Sequence, residues 1–112
     1  MNIQIFGSKK CKETRKAERY FKERNINYQF VDLAIKGLSK GELQSVMFAV
    51  GLKNLMDIDA KDYKRLNMDR IIGTKLREEL LLNNPGLYKT PIVRNGKQAT
   101  VGYEPELWKF WE

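Results

Sequence analysis

Ile5-Phe6-Gly7-Ser8-Lys9-Lys10-Cys11-Lys12-Glu13-Thr14-Arg15 carries a strand into a helix and places the chain's single cysteine at the junction. On its N-terminal side, Asn2-Ile3-Gln4-Ile5-Phe6 alternates polar and apolar residues, the period of a half-buried strand, and Gly7-Ser8 breaks it. On its C-terminal side, Ala17, Tyr20 and Phe21 recur at helical spacing, which predicts a helix from Cys11 to Arg24 with Lys12, Lys16, Glu18, Lys22 and Glu23 in water. A thiol at such a junction faces the free amides of a first helical turn, which favour thiolate over thiol. Arg15, one turn on, adds a cation to the same face.

Working outward, Asn25-Ile26-Asn27 ends the helix and Tyr28-Gln29-Phe30-Val31-Asp32-Leu33 alternates again, with aromatic and β-branched residues. Strand, helix and strand within about 33 residues is a βαβ unit with parallel strands. The middle of the chain is helical. Ser39 with Glu42 three residues later is a capping box ahead of Leu43, Val46, Met47 and Val50, and Gly51 is a stop. Lys53-Asn54-Leu55-Met56 reads as a link to a helix over 60–66, and a further helix from Thr74 carries Leu76, Leu80 and Leu81 before Asn83-Asn84-Pro85-Gly86 closes the block. Pro91-Ile92-Val93-Arg94, Asn95-Gly96 and Gln98-Ala99-Thr100-Val101 form a hairpin, with Asn95-Gly96 predicted as a type I′ turn. Gly102-Tyr103 leads into a last helix over 104–111, where Trp108 and Trp111 share a packing face.

Composition bounds the chemistry. The chain has 112 residues, enough for one domain, and 42% apolar with 31% charged residues describes a globular protein. No apolar run reaches the roughly 20 residues that cross a bilayer, and the N-terminus lacks a secretory pattern, so a cytoplasmic protein that does not enter membranes is expected. With 21 Lys and Arg against 14 Asp and Glu, the net charge of +7 points to an acidic partner, a small oxyanion or simply a soluble surface. The sequence shows neither a basic helix nor an aromatic platform of a nucleic-acid binder, so direct nucleic-acid binding is not expected. There is no histidine, which excludes histidine catalysis, and one cysteine with scattered carboxylates makes no metal site and no internal disulfide. Cys11 is therefore an inert buried thiol, a nucleophile or a redox sensor, and Lys9, Lys10, Lys12 and Arg15 around it favour a reactive thiolate.

The element order and motifs resemble a known family. Cys11-Lys12-Glu13-Thr14-Arg15 is similar to the Cys-x-x-x-Arg loop of the glutaredoxin-linked arsenate reductases, Thr90-Pro91-Ile92-Val93 resembles their Arg-Pro-Ile-Val segment, and Val101-Gly102-Tyr103 resembles the Spx-type regulators of the same family. The resemblance spans nearly the whole chain. It implies an α/β thioredoxin-like (glutaredoxin-like) fold: one domain over 1–112, a mixed four-stranded sheet, and a helical insertion over about 38–85 between the βαβ unit and a C-terminal ββα unit. It also implies a cis Pro91 against Cys11, where the residues alone leave an ordinary trans proline at a strand start open.

By that resemblance Cys11 and Arg15 would be catalytic and Lys12, Thr14, Thr90, Pro91 and Arg94 would bind a small oxyanion or thiol substrate. Arg94, with Lys97, also fits an exposed flank of the hairpin. Thr14 stands where a Cys-x-x-Cys motif has its second cysteine, so an external thiol must resolve any adduct, with glutathione or glutaredoxin as the implied reductant and no bound cofactor. The sequence departs from the arsenate reductases at Gly7, in the place of a histidine, and at Thr90 and Asp57, in the places of arginines. Losing two guanidiniums argues against efficient arsenate reduction. The alternative the resemblance offers is an Spx-like protein that binds RNA polymerase without a two-cysteine switch.

Overall fold

A computed structural model describes residues 1–111. β1 (Ile3–Gly7), α1 (Lys12–Glu23) and β2 (Tyr28–Asp32) form the first unit; α2 (Lys40–Val50), α3 (Leu52–Leu55), α4 (Lys61–Arg65) and α5 (Thr74–Asn83) follow. β3 (Ile92–Asn95), β4 (Gln98–Val101) and α6 (Pro105–Trp108) complete the chain, with single 3₁₀ turns over 68–70, 85–87 and 109–111. The strands lie in the order β2-β1-β3-β4; β1 and β2 are parallel, and β3 runs antiparallel to both β1 and β4. This is the mixed four-stranded sheet of the thioredoxin-like fold that the sequence predicts, with the helical block between β2 and β3.

Strand alternation sends side chains to two separate cores. Ile3, Ile5 and Val93 meet Ala17, Tyr20 and Phe21 of α1 and Trp108 of α6 on one face. Phe6 and Ile92 meet Leu43, Val46, Leu55, Met68 and Leu81 of the helical block on the other. The capping box of α2 is formed: the Ser39 hydroxyl accepts from the Glu42 amide at 3.1 Å while the Glu42 carboxylate accepts from the Ser39 amide at 2.8 Å. Gly51 ends α2 with φ of +86°, a backbone conformation that costs glycine little.

Of the leucines that α5 carries, Leu81 is buried and Leu76 is 48% exposed. Two local expectations differ from the structure. Residues 52–55 form a short helix in place of a plain link. The hairpin loop is Gly96-Lys97, since Asn95 pairs with Gln98 inside the ladder; only Gly96 has positive φ, at +60°, so the turn has the glycine-first pattern of type II′ and not the type I′ expected for Asn95-Gly96.

Candidate functional site

The C-terminal end of β1 brings the chain to the start of α1, and Cys11 takes the N-cap position with extended backbone. The turn before it is held by the Cys11 amide donating to the Ser8 carbonyl at 3.0 Å and the Lys10 amide donating to the Ser8 hydroxyl at 3.2 Å. Because Phe6 of β1 pairs with Ile92 of β3, the residues just before β3 fall beside this turn. The Thr90-Pro91 peptide is cis, as the resemblance implies, and the Thr90 hydroxyl donates to Cys11 Sγ at 3.2 Å. The Thr90 carbonyl lies 3.9 Å from the same sulfur and receives the thiol proton when there is one.

Thr14 completes the cluster from below. It is fully buried, and its hydroxyl oxygen lies 3.5 Å from the Ser8 amide. A Cβ at residue 7 would come within 2.5 Å of that oxygen and 2.6 Å of the Thr14 methyl, so the glycine leaves the space that Thr14 fills. Gly7 reads in the sequence as a strand breaker; that it makes room for a side chain seven residues on is visible only once strand and helix are packed.

Burial alone raises the Cys11 pKa, yet the thiol is held below its ordinary value in sum, by hydrogen bonding from the Thr14 and Thr90 hydroxyls and by the amides of Thr14 and Glu13. The direction is the one the sequence leads us to expect, but the groups responsible differ from those the motif suggests. Hydroxyls and first-turn amides lower the pKa, not the neighbouring cations. Arg15 is exposed and turns its Nη1 back to donate to the Lys9 carbonyl at 3.2 Å, which braces the turn. Lys12 is exposed on the first turn of α1.

Thus Cys11, Thr14, Thr90 and Pro91 are brought together, with Arg15 at the rim. Arg94 is not. It lies opposite Gln4, three residues along β3 from Pro91, about 10 Å at the rise of a strand. Its guanidinium donates to Gln4 Oε1 at 2.8 Å, the Gly96 carbonyl at 3.1 Å and the Ser45 hydroxyl at 3.3 Å, which ties the hairpin to β1 and α2. Asp57 accepts from the Asp59 amide at 3.0 Å, closing a turn in the helical block. Among the described residues no group of three or more His, Cys, Asp or Glu could hold a metal ion, and no helix is long and apolar enough to cross a membrane.

Comparison with known proteins agrees with this fold. The model of the ArsC family matches residues 6–110. Global transcriptional regulator Spx 2 of Oceanobacillus iheyensis is 33% identical over 110 residues, covering 95% of this chain and 80% of that protein. Global transcriptional regulator Spx of Staphylococcus aureus is 29% identical over 113 residues, covering 96% and 86%. Among solved structures, an arsenate reductase from Vibrio cholerae superposes with a TM-score of 0.85 at 23% identity over 96% of this chain and 94% of that one, a likeness of fold.

Proposed function

The chain belongs to the ArsC family, and from that premise we propose that it is a thiol-dependent oxidoreductase working through Cys11 alone. The observation that carries this reading is the Thr90 hydroxyl aimed at Cys11 Sγ from 3.2 Å, opposite the first turn of α1. In this mechanism the Cys11 thiolate attacks one sulfur of a substrate disulfide. The new S–S bond forms as the old one breaks, Cys11 is oxidised to a mixed disulfide, and the other sulfur leaves reduced, as a thiolate. Thr14 supplies no second thiol, so an external thiolate such as glutathione attacks the substrate-derived sulfur, carries it off as a disulfide and returns Cys11 to thiolate. Arg15 and Lys12 give the mouth of the site positive charge, which suits an anionic disulfide such as a glutathione mixed disulfide. Arsenate fits poorly, because Thr90 and Asp57 offer no bidentate guanidinium.

Alkylation of Cys11 by iodoacetamide across pH, with turnover of a glutathione mixed disulfide, tests this. The thiol is expected to titrate below the ordinary value of about 8.5; Thr90→Val is expected to move the profile upward and slow turnover, while Cys11→Ser abolishes both signals. An ordinary thiol titration without turnover would overturn the reading.

A second reading, transcriptional regulation through RNA polymerase, is favoured by the two relatives that are regulators by name. On that reading, purified polymerase is retained equally by the wild-type protein and Cys11→Ser, with no disulfide turnover. Retention of no polymerase subunit removes it.

A further inference from the structure

The outer edge of β4 carries a groove that shares no lining residue with the Cys11 cluster. β4 ends the sheet, and its register with β3 decides which of its backbone groups are engaged. Asn95 and Gln98 close the two-residue loop, and the Gly102 amide donates to the Pro91 carbonyl at 2.8 Å, so Gln98, Thr100 and Gly102 face β3. By the same alternation Ala99 and Val101 turn their N–H and C=O groups away from the sheet. Exposed edges are commonly guarded by charge or proline, and Gln98-Ala99-Thr100-Val101 has neither.

Two hollows run end to end along this edge. One, of about 530 Å³, is lined by Phe48, Ala49, Lys97, Phe110 and Trp111, and the other, of about 270 Å³, by Val50, Asn54, Lys89, Val101 and Glu104; they share Ala99, Thr100 and Leu107. Phe48 on α2 is 94% exposed on one side of the edge, and Phe110, after α6, is 83% exposed on the other. A strand laid here would send successive side chains alternately toward Phe48 and toward Leu107 and Phe110. Lys97 stands at the hairpin end and Lys89 in the second hollow, which Glu104 also lines. With a net charge of +7 on every copy, self-pairing is opposed and an acidic occupant is attracted.

We propose that the β4 edge receives an extended acidic peptide segment as a fifth strand, its backbone pairing with Ala99 and Val101 and its apolar side chains held between Phe48 and Phe110. Main-chain pairing gives the affinity, the flanking aromatics select apolar residues, and Lys97 and Lys89 select carboxylates at the ends.

The test uses a capped peptide with an alternating valine and threonine centre between glutamate pairs, titrated into the full chain at low salt and followed by amide NMR. The Ala99 and Val101 amides are expected to shift and to exchange more slowly, and a peptide with lysine pairs to leave them unmoved. Ala99→Pro removes an outward donor without touching the bonds to β3, and is expected to weaken binding about tenfold. Phe110→Asp, at an exposed position, gives the same loss should the proline disturb the strand, with far-ultraviolet circular dichroism as the folding check. The proposal is overturned if neither amide responds, if the lysine peptide binds equally, or if both variants bind as the wild type does. It is also overturned if sedimentation shows a dimer that Phe110→Asp dissolves, which would assign the edge to a second copy.

Discussion

The two faces of the sheet are filled by different means. On the α1 face the packing is aromatic and directional. The Trp108 ring centroid lies 5.1 Å from those of both Tyr20 and Phe21 and 5.6 Å from that of Tyr103. Its indole N–H donates to the buried Thr100 hydroxyl at 2.8 Å. On the opposite face, leucine, valine and methionine from α2, α3, α5 and the turns between the helices fill the space with no such geometry, and the Tyr88 hydroxyl is buried there without a hydrogen-bond partner among the described residues. Rings at fixed angles with a hydrogen bond among them hold one arrangement, whereas flexible aliphatic chains adapt to a loss. The site is assembled where β1 leaves the sheet, with Gly7 and Thr14 packed against each other.

That contrast can be broken. Trp108→Ala is expected to cost about 5 kcal/mol, from the lost ring contacts and the orphaned Thr100 hydroxyl. Met68→Ala, in the helical block, is expected to cost about 2 kcal/mol because its neighbours repack. Urea denaturation measures both, and equal losses would remove the distinction.

Gly7→Ala presses a methyl on the Thr14 hydroxyl and is expected to cost about 1 to 3 kcal/mol. It is also expected to shift the Cys11 alkylation profile upward by displacing a donor to the sulfur. A variant that loses stability with an unchanged profile would separate Thr14 from the thiol. Tyr88→Phe sharpens the comparison in the other direction: removing a buried hydroxyl without a partner leaves stability unchanged or raises it by up to about 1 kcal/mol, read from the denaturation midpoint.

The smallest effect lies at the edge of the aromatic face. Burial, with the Tyr28 hydroxyl donating to Glu18 at 2.9 Å and the charge of that carboxylate, pushes the phenol up to about 12. The folded state keeps this proton where the unfolded chain begins to lose it, near pH 10. This contribution to stability is complete below pH 10 and is lost as pH rises toward 12. Melts across that window are expected to show a shallower decline in Tyr28→Phe than in the wild-type chain.

Much of this was legible in the residues. Period-two alternation marked β1 and β2, the Asn95-Gly96 turn signal marked the hairpin of β3 and β4, helical spacing marked α1, and Ser39 with Glu42 marked the start of α2, because each signal is local. The hairpin turn was misread because register is settled by what pairs with a residue: Asn95 was taken into the ladder by its pairing with Ile3 and Gln98. Of the site, Cys11, Thr14 and Thr90 were readable from motif positions. The groove along β4 was not, since its walls come from residues 48, 99 and 110.

The sequence by itself determined the element order, the lone thiol at a strand-to-helix junction and the absence of a second cysteine to resolve it, because these are facts of composition and local period. Only the tertiary structure decided which groups act on that thiol. It set Thr90 against Cys11 across 79 positions of chain, turned Arg15 back onto the Lys9 carbonyl and committed Arg94 to Gln4. Hydrogen bonds depend on distance and direction that sequence spacing does not fix, so the cations that dominate the motif on paper give way in the folded protein to two hydroxyls and a helical turn.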